Sequence, residues 1–558
     1  MEILNIIYVV AVVFLLFGAA IFVHEFGHFW VALKRGLIVE EFAIGFGPIV
    51  WSKEHDGILY SIRLIPAGGF VKLPQMLTSE AIEGKAETIP ETNEEDESGN
   101  KNEDDDPEPE EELPEVSPFS KILVAFAGPL MNVIFAFAIA IFIWIVGIPK
   151  QINEPVIGYV GKSSEEFERG VRPGDVFKVV NGVEIETWQD VIYAVLDSTG
   201  KTVDVTLLRG DEEIKVDLPA DTWDGGIRRL RLESRDILKV LSFETPSILG
   251  EAGFEPEDVI QSVNGNEAYS QYHLLDMLMA NPGEKKTIQV MRKGAVVELE
   301  YETPDVAGVK VGMVINEDED GKATPASKVD IEKGDFIKSA GSKHVTSTLQ
   351  LIDIIRSQEK GKKLELELIR GKETLIVEVT PVEGRLGIGL EQEIGLSFKP
   401  EPIRYSKEPA HPTPIEQIND VLDKIAITFK ALGRGKESGV GAKDLSGPVG
   451  IFGMLAIQVN HSIMLALGFL VLLNINLAIL NLLPVPVLDG GHILMSIIEW
   501  IRKEPVSVRV QEWATTASAA LLLCFFVYVT FADVKRVPLL HEIFKRDTQV
   551  ENTSSSGG

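Results

Sequence analysis

Two histidines and a glutamate in the first apolar run could bind and use a metal ion. His24 and His28 are four residues apart in the sequence HEFGH. On a helix this spacing places both imidazoles on one face, as shared binding of one zinc ion requires. Glu25 is placed to take a proton from an attacking water molecule. The alternative is a coincidental pair of structural histidines, but such a match should arise by chance in roughly one chain of this kind in a hundred. We therefore predict a zinc site.

A catalytic zinc ion needs a third protein ligand and one open position. Asp489 is the best candidate, because it follows directly on the third apolar run. The first and third runs cross in the same direction, so their ends meet on one side of the membrane. An Asp-Gly turn that merely ends a helix is the alternative for Asp489. His492 could compete as a ligand, but we interpret it as a supporting residue.

Four apolar runs are long enough to span a bilayer. They cover Ile3 to Val23, Ile122 to Gly147, Ser462 to Leu483 and Trp513 to Phe531. A cleaved signal peptide is disfavoured for the first run, because no basic segment precedes it and no small-residue cleavage site follows it. Lys34 and Arg35 predict that this run ends on the cytoplasmic side, although Lys535 and Arg536 after the fourth run oppose that orientation.

Charge and cysteine content exclude several classes of protein. The formal net charge of −31 argues against a nucleic-acid partner, which would require a basic surface. Between Glu80 and Glu115 the chain carries 17 acidic residues and only two lysines, so the tract from Met76 to Pro118 is predicted to be disordered. The single cysteine, Cys524, excludes a disulfide framework.

The segment from Glu154 to about Lys399 contains a threefold repeat. From Asp175, Asp258 and Asp335 to the glycine of the following hairpin turn, the separations are 35, 36 and 36 residues. The first copy, Arg172-Pro-Gly-Asp to Val180-Asn-Gly, resembles PDZ domains of the circularly permuted bacterial kind. That resemblance implies binding of extended peptides at a sheet edge, and a passive spacer or steric gate is the alternative.

Two further segments are predicted to lie at the membrane surface. Glu40 to Leu73 alternates apolar and polar residues and contains Gly45-Phe46-Gly47, which indicates a small membrane-associated β-hairpin. Pro412 to Lys436 has the apolar spacing of an amphipathic helix. Asn132 lies at membrane depth in the second run, where an amide needs protein or water to satisfy it. It could line a site or only pack between helices.

The HEFGH motif, together with Asn481-x-x-Pro-x-Pro-x-Leu-Asp489-Gly, resembles the site-2 proteases, which are intramembrane zinc metalloproteases, and within them the bacterial RseP-like branch with PDZ domains. The resemblance implies that His24, His28 and Asp489 hold Zn²⁺ and that Glu25 is the catalytic base and proton donor. It also implies substrate binding by Asn481, and we extend that role to Gly45, Phe46, Gly47 and Asn132. Three PDZ-like copies, where two are common in that branch, and the acidic insertion are departures.

These observations predict a polytopic α-helical membrane core of four transmembrane helices, a membrane-associated β-hairpin and soluble α+β PDZ-like domains. Along the chain, the predicted order is transmembrane helix 1 at 1–35, hairpin region at 36–75, acidic insertion at 76–118, transmembrane helix 2 at 119–150, PDZ-like units at 151–227, 228–307 and 308–400, amphipathic linker at 401–460, transmembrane helix 3 at 461–492, and transmembrane helix 4 with the tail at 493–550.

The resemblance further implies an intramembrane endopeptidase of the bacterial inner membrane that performs regulated intramembrane proteolysis. Its substrates would be single-span membrane proteins, such as an anti-sigma factor or a remnant signal peptide. The PDZ-like units would lie in the periplasm, with peptide or protein ligands, and the active site would lie near the cytoplasmic side. Membrane lipid would surround the helices. A catalytically inactive membrane PDZ scaffold or chaperone is the alternative.

Overall fold

The structure is a computed structural model. It describes residues 2–76, 116–162, 164–222, 227–243, 252–281, 284–302, 309–317, 322–345, 348–382, 384–391, 396–398, 403–504, 506–544 and 548–551. The acidic insertion predicted at 76–118 lies almost entirely outside these residues.

The helices of the described residues are α1 (Glu2–Arg35), α2 (Pro118–Val146), α3 (Glu165–Glu168), α4 (Trp188–Asp197), α5 (Gln271–Met279), α6 (Thr348–Ser357), α7 (Pro414–Gly433), α8 (Gly435–Ser438), α9 (Pro448–His461), α10 (Ile463–Asn481), α11 (Asp489–Arg502) and α12 (Val508–Phe544). Short 3₁₀ helices span Ala326–Lys328 and Ala442–Asp444.

The strands are β1 (Glu41–His55), β2 (Ile58–Lys72), β3 (Ile157–Val160), β4 (Val176–Val180), β5 (Val183–Glu184), β6 (Thr202–Arg209), β7 (Glu212–Pro219), β8 (Asp221–Thr222), β9 (Arg228–Arg229), β10 (Leu232–Ser234), β11 (Val240–Phe243), β12 (Val259–Val263), β13 (Asn266–Glu267), β14 (Lys285–Arg292), β15 (Ala295–Glu302), β16 (Val309–Val314), β17 (Phe336–Ala340), β18 (Lys343–His344), β19 (Leu364–Arg370), β20 (Glu373–Val379), β21 (Ile388–Glu391), β22 (Leu396–Phe398), β23 (Ile403–Ser406) and β24 (Thr548–Glu551).

Four helices are long and apolar enough to cross a membrane. They are α1, α2, α10 and α12, each overlapping one predicted span. A buried apolar cluster joins α1, α2 and α10 with the amphipathic helix α7 and with α9. Local sequence sets the ends of α2, where the Ser117 side chain accepts a hydrogen bond from the Ser120 N–H and Pro118 takes the first helical position. Helix α12 packs mainly on α9.

The third predicted span, Ser462 to Leu483, is present as the single helix α10, and a loop separates it from a further helix. Helix α10 ends at Asn481, and α11 begins at Asp489 after a loop that contains Pro484 and Pro486. A proline has no backbone N–H to donate, so two of them at this point end the helical ladder. The segment assigned to transmembrane helix 3 at 461–492 therefore contains α10, this loop and the first residues of α11. Asp489 follows the third apolar run after the loop and is the first residue of α11.

The predicted β-hairpin is present as β1 and β2. The pairing of the two long strands is more complex than in a simple hairpin. Residues 41–44 of β1 pair with two segments of β2, 59–62 and 69–72, whereas residues 49–55 pair with 58–63. Apolar side chains at one end are exposed, among them Ile49, Trp51 and Leu64. An exposed apolar surface of this kind fits contact with lipid.

Each of the three soluble repeats contains an equivalent ion pair between a buried aspartate and an arginine. Asp175, Asp258 and Asp335 are nearly inaccessible to solvent, and each accepts two hydrogen bonds from an arginine at the end of the sixth, fourteenth or nineteenth strand. These arginines are Arg209, Arg292 and Arg370. This ion pair explains the constant spacing found in the sequence. In each unit it joins the aspartate before a central strand to the arginine that directly precedes the glycine of the hairpin turn.

The units are nested rather than consecutive. Strand β10, placed by the sequence in the second unit, pairs with β3 of the first. Strand β22, placed in the third unit, pairs with β11 of the second, while β21 completes the sheet of the third. The predicted boundary at 227 and the predicted end of the third unit at 400 must therefore be corrected. In the sequence, the third unit is inserted between β11 and β22, two paired strands of the second unit.

Helix α7 connects the membrane helices to the first unit. Gln417 donates to the carbonyl of Ala140 in α2 at 3.0 Å. At the other end of α7, Lys430 contacts Asp197 at 3.1 Å. Arg434, just beyond α7, donates to the carbonyls of Leu196 and Ser198, which lie at the end of α4. A cation at a helix C-terminus is a favourable contact.

Candidate metal centre

His24, His28 and Asp489 converge on one point. The Nε2 atoms of the two histidines are 3.2 Å apart, and Asp489 Oδ2 and Oδ1 lie 3.3 and 3.4 Å from His24 and His28. Ligand distances of about 2.0–2.1 Å to a tetrahedral zinc ion place neighbouring ligand atoms about 3.3 Å apart. The spacing therefore matches three corners of a tetrahedral site.

Helix α2 orients both imidazoles. His28 Nδ1 lies 2.8 Å from the Val124 carbonyl oxygen, which can accept only an N–H, so Nε2 is left with its lone pair. His24 Nδ1 lies 3.1 Å from the amide of Asn132, whose Oδ1 is buried without a partner among the described residues. If the Asn132 amide is flipped, its Oδ1 accepts the Nδ1–H of His24. The Nε2 atom of His24 then also keeps its lone pair for a metal ion.

Glycines allow the backbone to approach the ligands. A Cβ built on Gly128 would lie 2.2 Å from His28 Nε2 and 2.8 Å from His24 Cε1. Gly490 and Gly491 approach the 482–486 backbone in the same way, with built Cβ atoms 2.3 Å from carbonyl oxygens. Any side chain at these positions would collide with the site or with the loop before α11. The local sequence therefore permits α11 to begin against its own preceding loop.

Glu25 lines the same cavity as the three ligand candidates, together with Phe46, Gly69 and Phe70 of the hairpin. A Cβ built on Gly69 would lie 3.0 Å from Glu25 Cγ, so strand β2 runs directly over the carboxylate. The cavity of about 230 Å³ is bounded by α1 and α2 on one side and by the hairpin on the other. A substrate strand would meet Glu25 and the ligand candidates together.

The remaining predicted residues lie near the centre in different roles. Asn481 is the last residue of α10, and its Nδ2 is 3.4 Å from His24 Nε2. Of the three loop residues, Phe46 lines the cavity, and Gly45 and Gly47 flank it with positive φ angles of 92° and 83°. Asn132 contacts His24. His492 lines the cavity but is outside the ligand group.

Sequence reasoning missed several contributors. Val124, Gly69 and Phe70 carry no sequence signal for a site, because their part is a carbonyl group, a missing side chain or an apolar surface. Gly128, which precedes Pro129 in the second span, and Asn132 were the hints that α2 faces a site. Arg63 is the one charged residue in the interior of strand β2, whose last residue is Lys72, and this is a signal that could have been used.

The donor set suits zinc. Two imidazole nitrogens and one carboxylate oxygen, with the fourth side open to the cavity, form the arrangement of a catalytic rather than a structural zinc site. Asp489 Oδ2 is buried and has no hydrogen bond among the described residues, so an oxygen is left that needs a cation.

Comparison with known proteins identifies the family. The model of peptidase family M50 matches residues 12–525. The chain is 28% identical to the regulator of sigma-E protease RseP of Escherichia coli, covering 93% of this chain and 97% of that one. It is 26% identical, with the same coverage of both chains, to a Vibrio cholerae protein whose name proposes it as a zinc metalloprotease. A solved PDZ domain protein of Parabacteroides distasonis is 12% identical, with a TM-score of 0.13, and covers 45% of this chain and 96% of that one.

The family match covers the second and third apolar helices, parts of the first and fourth, and both halves of the candidate metal centre. The chain therefore belongs to peptidase family M50 and is a metalloendopeptidase of the site-2 protease type.

Proposed function

We propose that the chain is a zinc-dependent intramembrane endopeptidase that cleaves single-span membrane proteins. One observation carries the proposal: the ligand candidates lie within the helical bundle and not at its surface. His24 is 11 residues before the end of α1 at Arg35, which is about 16 Å at 1.5 Å per residue. A peptide bond that reaches this centre must enter the depth of the membrane.

The chemistry would follow from the residues around the cavity. His24, His28 and Asp489 would hold zinc, which when bound polarises a peptide carbonyl and lowers the pKa of a water molecule. Glu25 would accept the proton of the attacking water and deliver it to the amide nitrogen of the leaving peptide. Asn132 would keep His24 in the tautomer that offers Nε2 to the metal.

A transmembrane helix must open before one of its peptide bonds can be attacked. The freed N–H and C=O groups then need partners, because no water is available in the membrane core. The amide of Asn481 and the loop of Gly45, Phe46 and Gly47 lie around the cavity, where they could bind an unwound strand. The name of the Escherichia coli relative mentions sigma E, which is the reason for proposing an anti-sigma factor as one substrate. A remnant signal peptide is of the same single-span class.

We further propose that the chain resides in the bacterial inner membrane, with the metal centre toward the cytoplasm and the soluble units in the periplasm. Lys34 and Arg35 at the end of α1 support this orientation. The units would comprise residues 156–234, residues 239–302 completed by 396–398, and residues 309–391. Each assignment rests on strand pairing.

The third unit offers the clearest place for a peptide ligand. Strand β21 is at the edge of its sheet. Between β21 and α6 lies a groove of about 730 Å³, lined by Ile352, Arg385, Ile388 and others. An edge strand beside a helix-walled groove can accept an extended peptide through main-chain hydrogen bonds. Such a ligand would regulate access and not take part in the chemistry.

The test uses purified full-length protein in lipid nanodiscs and a reporter span. Glu25→Gln should retain zinc and lose cleavage, and Asp489→Asn should lose zinc by about tenfold or more in affinity. Asp211→Asn, in an exposed turn, is the matched control and should change neither. Substantial cleavage by Glu25→Gln would refute the mechanism. Wild-type protein that holds no zinc and cleaves no span would instead be an inactive scaffold.

A further inference from the structure

Arg63 of β2 connects the hairpin to the rim of the metal cavity. Its Nη2 donates to Glu41 Oε1 at 2.7 Å, and its Nη1 donates to the Gly47 carbonyl at 3.1 Å. Its guanidinium lies 4.9 Å from the centre of the Phe70 ring. One side chain thus contacts a buried carboxylate, the glycine loop of Gly45–Gly47, and an aromatic residue that lines the cavity.

The loop that Arg63 contacts needs support. Gly45 and Gly47 have positive φ angles, a conformation that glycine adopts freely and that sequence alone does not fix. Between them, the Phe46 ring covers Gly68, where a built Cβ would lie 1.9 Å from the ring. Phe46 also stacks on Phe70 with a centroid distance of 6.4 Å.

We propose that Arg63 is a positioning residue for peptide cleavage. It would hold Phe46 and Phe70 as the wall of a subsite that accepts an apolar side chain next to the scissile bond. This inference rests on the proposed protease function and adds a determinant of substrate choice. Phe46 and Phe70 contact the substrate, and Arg63 acts through them.

The surroundings make the Arg63–Glu41 pair difficult to replace. Glu41 is 9% exposed and also accepts a hydrogen bond from Ser61. In a sheet with apolar surface toward lipid, removing one charge leaves the other buried and unpaired, which is costly. A guanidinium can donate in one plane to a carboxylate and a carbonyl together, whereas a lysine ammonium has no such fork. Arg63→Lys should therefore keep the charge and lose the bridge to Gly47.

The same sheet supplies a matched control. Glu40 pairs with Lys72 at 2.8 Å across neighbouring strands, and both side chains are more exposed than Glu41. The hydrogen bond to the Gly47 carbonyl is donated by Arg63, so the Glu40–Lys72 pair is not part of that bridge. Glu40→Gln removes a salt bridge from the hairpin without touching the wall of the subsite, so it separates a general loss of sheet stability from loss of the Arg63 bridge.

The first measurement compares two reporter spans that differ only in leucine or its near isostere asparagine beside the scissile bond. Wild-type protein should prefer leucine, and Arg63→Lys should lower kcat/KM for leucine by about tenfold to a hundredfold and bring the preference close to one. Zinc content should not change, and Glu40→Gln should behave as wild type. An equal loss on both reporters would overturn the inference, because Arg63 would then only stabilise the sheet.

The second measurement does not need activity. Hydrogen exchange of the full-length protein in nanodiscs should show faster exchange at 45–47 in Arg63→Lys, with 41–44 unchanged. Unchanged exchange at 45–47 would overturn the inference even in a protein that cleaves nothing. Zinc-loaded wild-type protein that is inert on both reporters would overturn the proposed protease function, while exchange still decides the role of Arg63.

Discussion

Substituting Gly128 by alanine should disable the metal centre without touching a ligand. The added Cβ would lie 2.2 Å from His28 Nε2 and 2.6 Å from His28 Cε1, whereas ordinary contact begins above 3.4 Å. Either His28 or helix α2 must move by about 1 Å. Helix α2 cannot simply retreat, because its movement would also withdraw Asn132 from His24 and Val124 from His28.

A displacement of 1 Å is large for metal binding. Ligand distances must stay within about 0.2 Å of their ideal values, and loss of an orienting hydrogen bond alone lowers metal affinity by about tenfold to a hundredfold. We therefore expect zinc affinity to fall by at least that range, or about 1.4–2.7 kcal/mol. Overpacking should lower the free energy of unfolding by a further 1–3 kcal/mol or so.

Chelator competition on purified protein measures the zinc affinity, and reporter cleavage at saturating zinc measures what remains of the activity. Gly18→Ala is the matched control, because Gly18 is in α1 and a Cβ built there has no atom within 4 Å. It should leave zinc affinity and cleavage unchanged. Wild-type zinc affinity in Gly128→Ala would show that α2 does not lie against the histidines, and the account of the site would fail.

Two other substitutions test regions away from the metal. Asp533 in α12 accepts hydrogen bonds from the backbone N–H groups of Gly447 and Gly450 at the start of α9. Asp533→Asn should therefore lower the free energy of unfolding by about 1–3 kcal/mol. An unchanged denaturation midpoint would contradict that contact. Burial raises the pKa of Asp353 in α6 to about 6, so the charged form disfavours the folded state and stability should fall as pH rises from about 4 to above 6. Asp353→Asn should abolish this fall, as measured by hydrogen exchange of α6 between pH 5 and 7.5, and a fall that persisted would contradict the assignment.

Sequence reasoning predicted the three side chains that the structure brings together as the candidate metal centre, because their signals are local. Two histidines at helical spacing and an Asp-Gly pair beside prolines are visible in short windows, and the apolar runs place them at similar depth. The length of the apolar runs predicted α1 and α2, and the spacing of apolar residues predicted α7. The same reasoning placed Asp489 directly after the third apolar run but did not predict the helix α11 that begins there, because a short helix after a proline-containing loop has no apolar run of its own.

The remaining features depend on pairing between distant segments. Nothing in residues 396–398 indicates that they complete a sheet begun at 240–243, since three alternating residues suit any edge strand. The role of Asn132 as the partner of His24 depends on how α1 packs on α2. That of Arg63 depends on a fold within the hairpin that its alternation does not reveal. These features could be found only in three dimensions.

The nesting of the third unit inside the second fixes an order of assembly. A chain that emerges from its N-terminus delivers β11 to β15 first, and β22, the strand that pairs with β11, only after all of residues 309–391. The inner unit can fold on its own segment, while the outer one must wait with an open sheet edge. The outer unit would close late in synthesis, when α7 is being made. The helices that carry Asn481 and Asp489 follow soon afterwards. A chain truncated before β22 would thus expose the unpaired edge of β11. It would also lack Asp489, so it could not complete the candidate metal site or cleave a peptide.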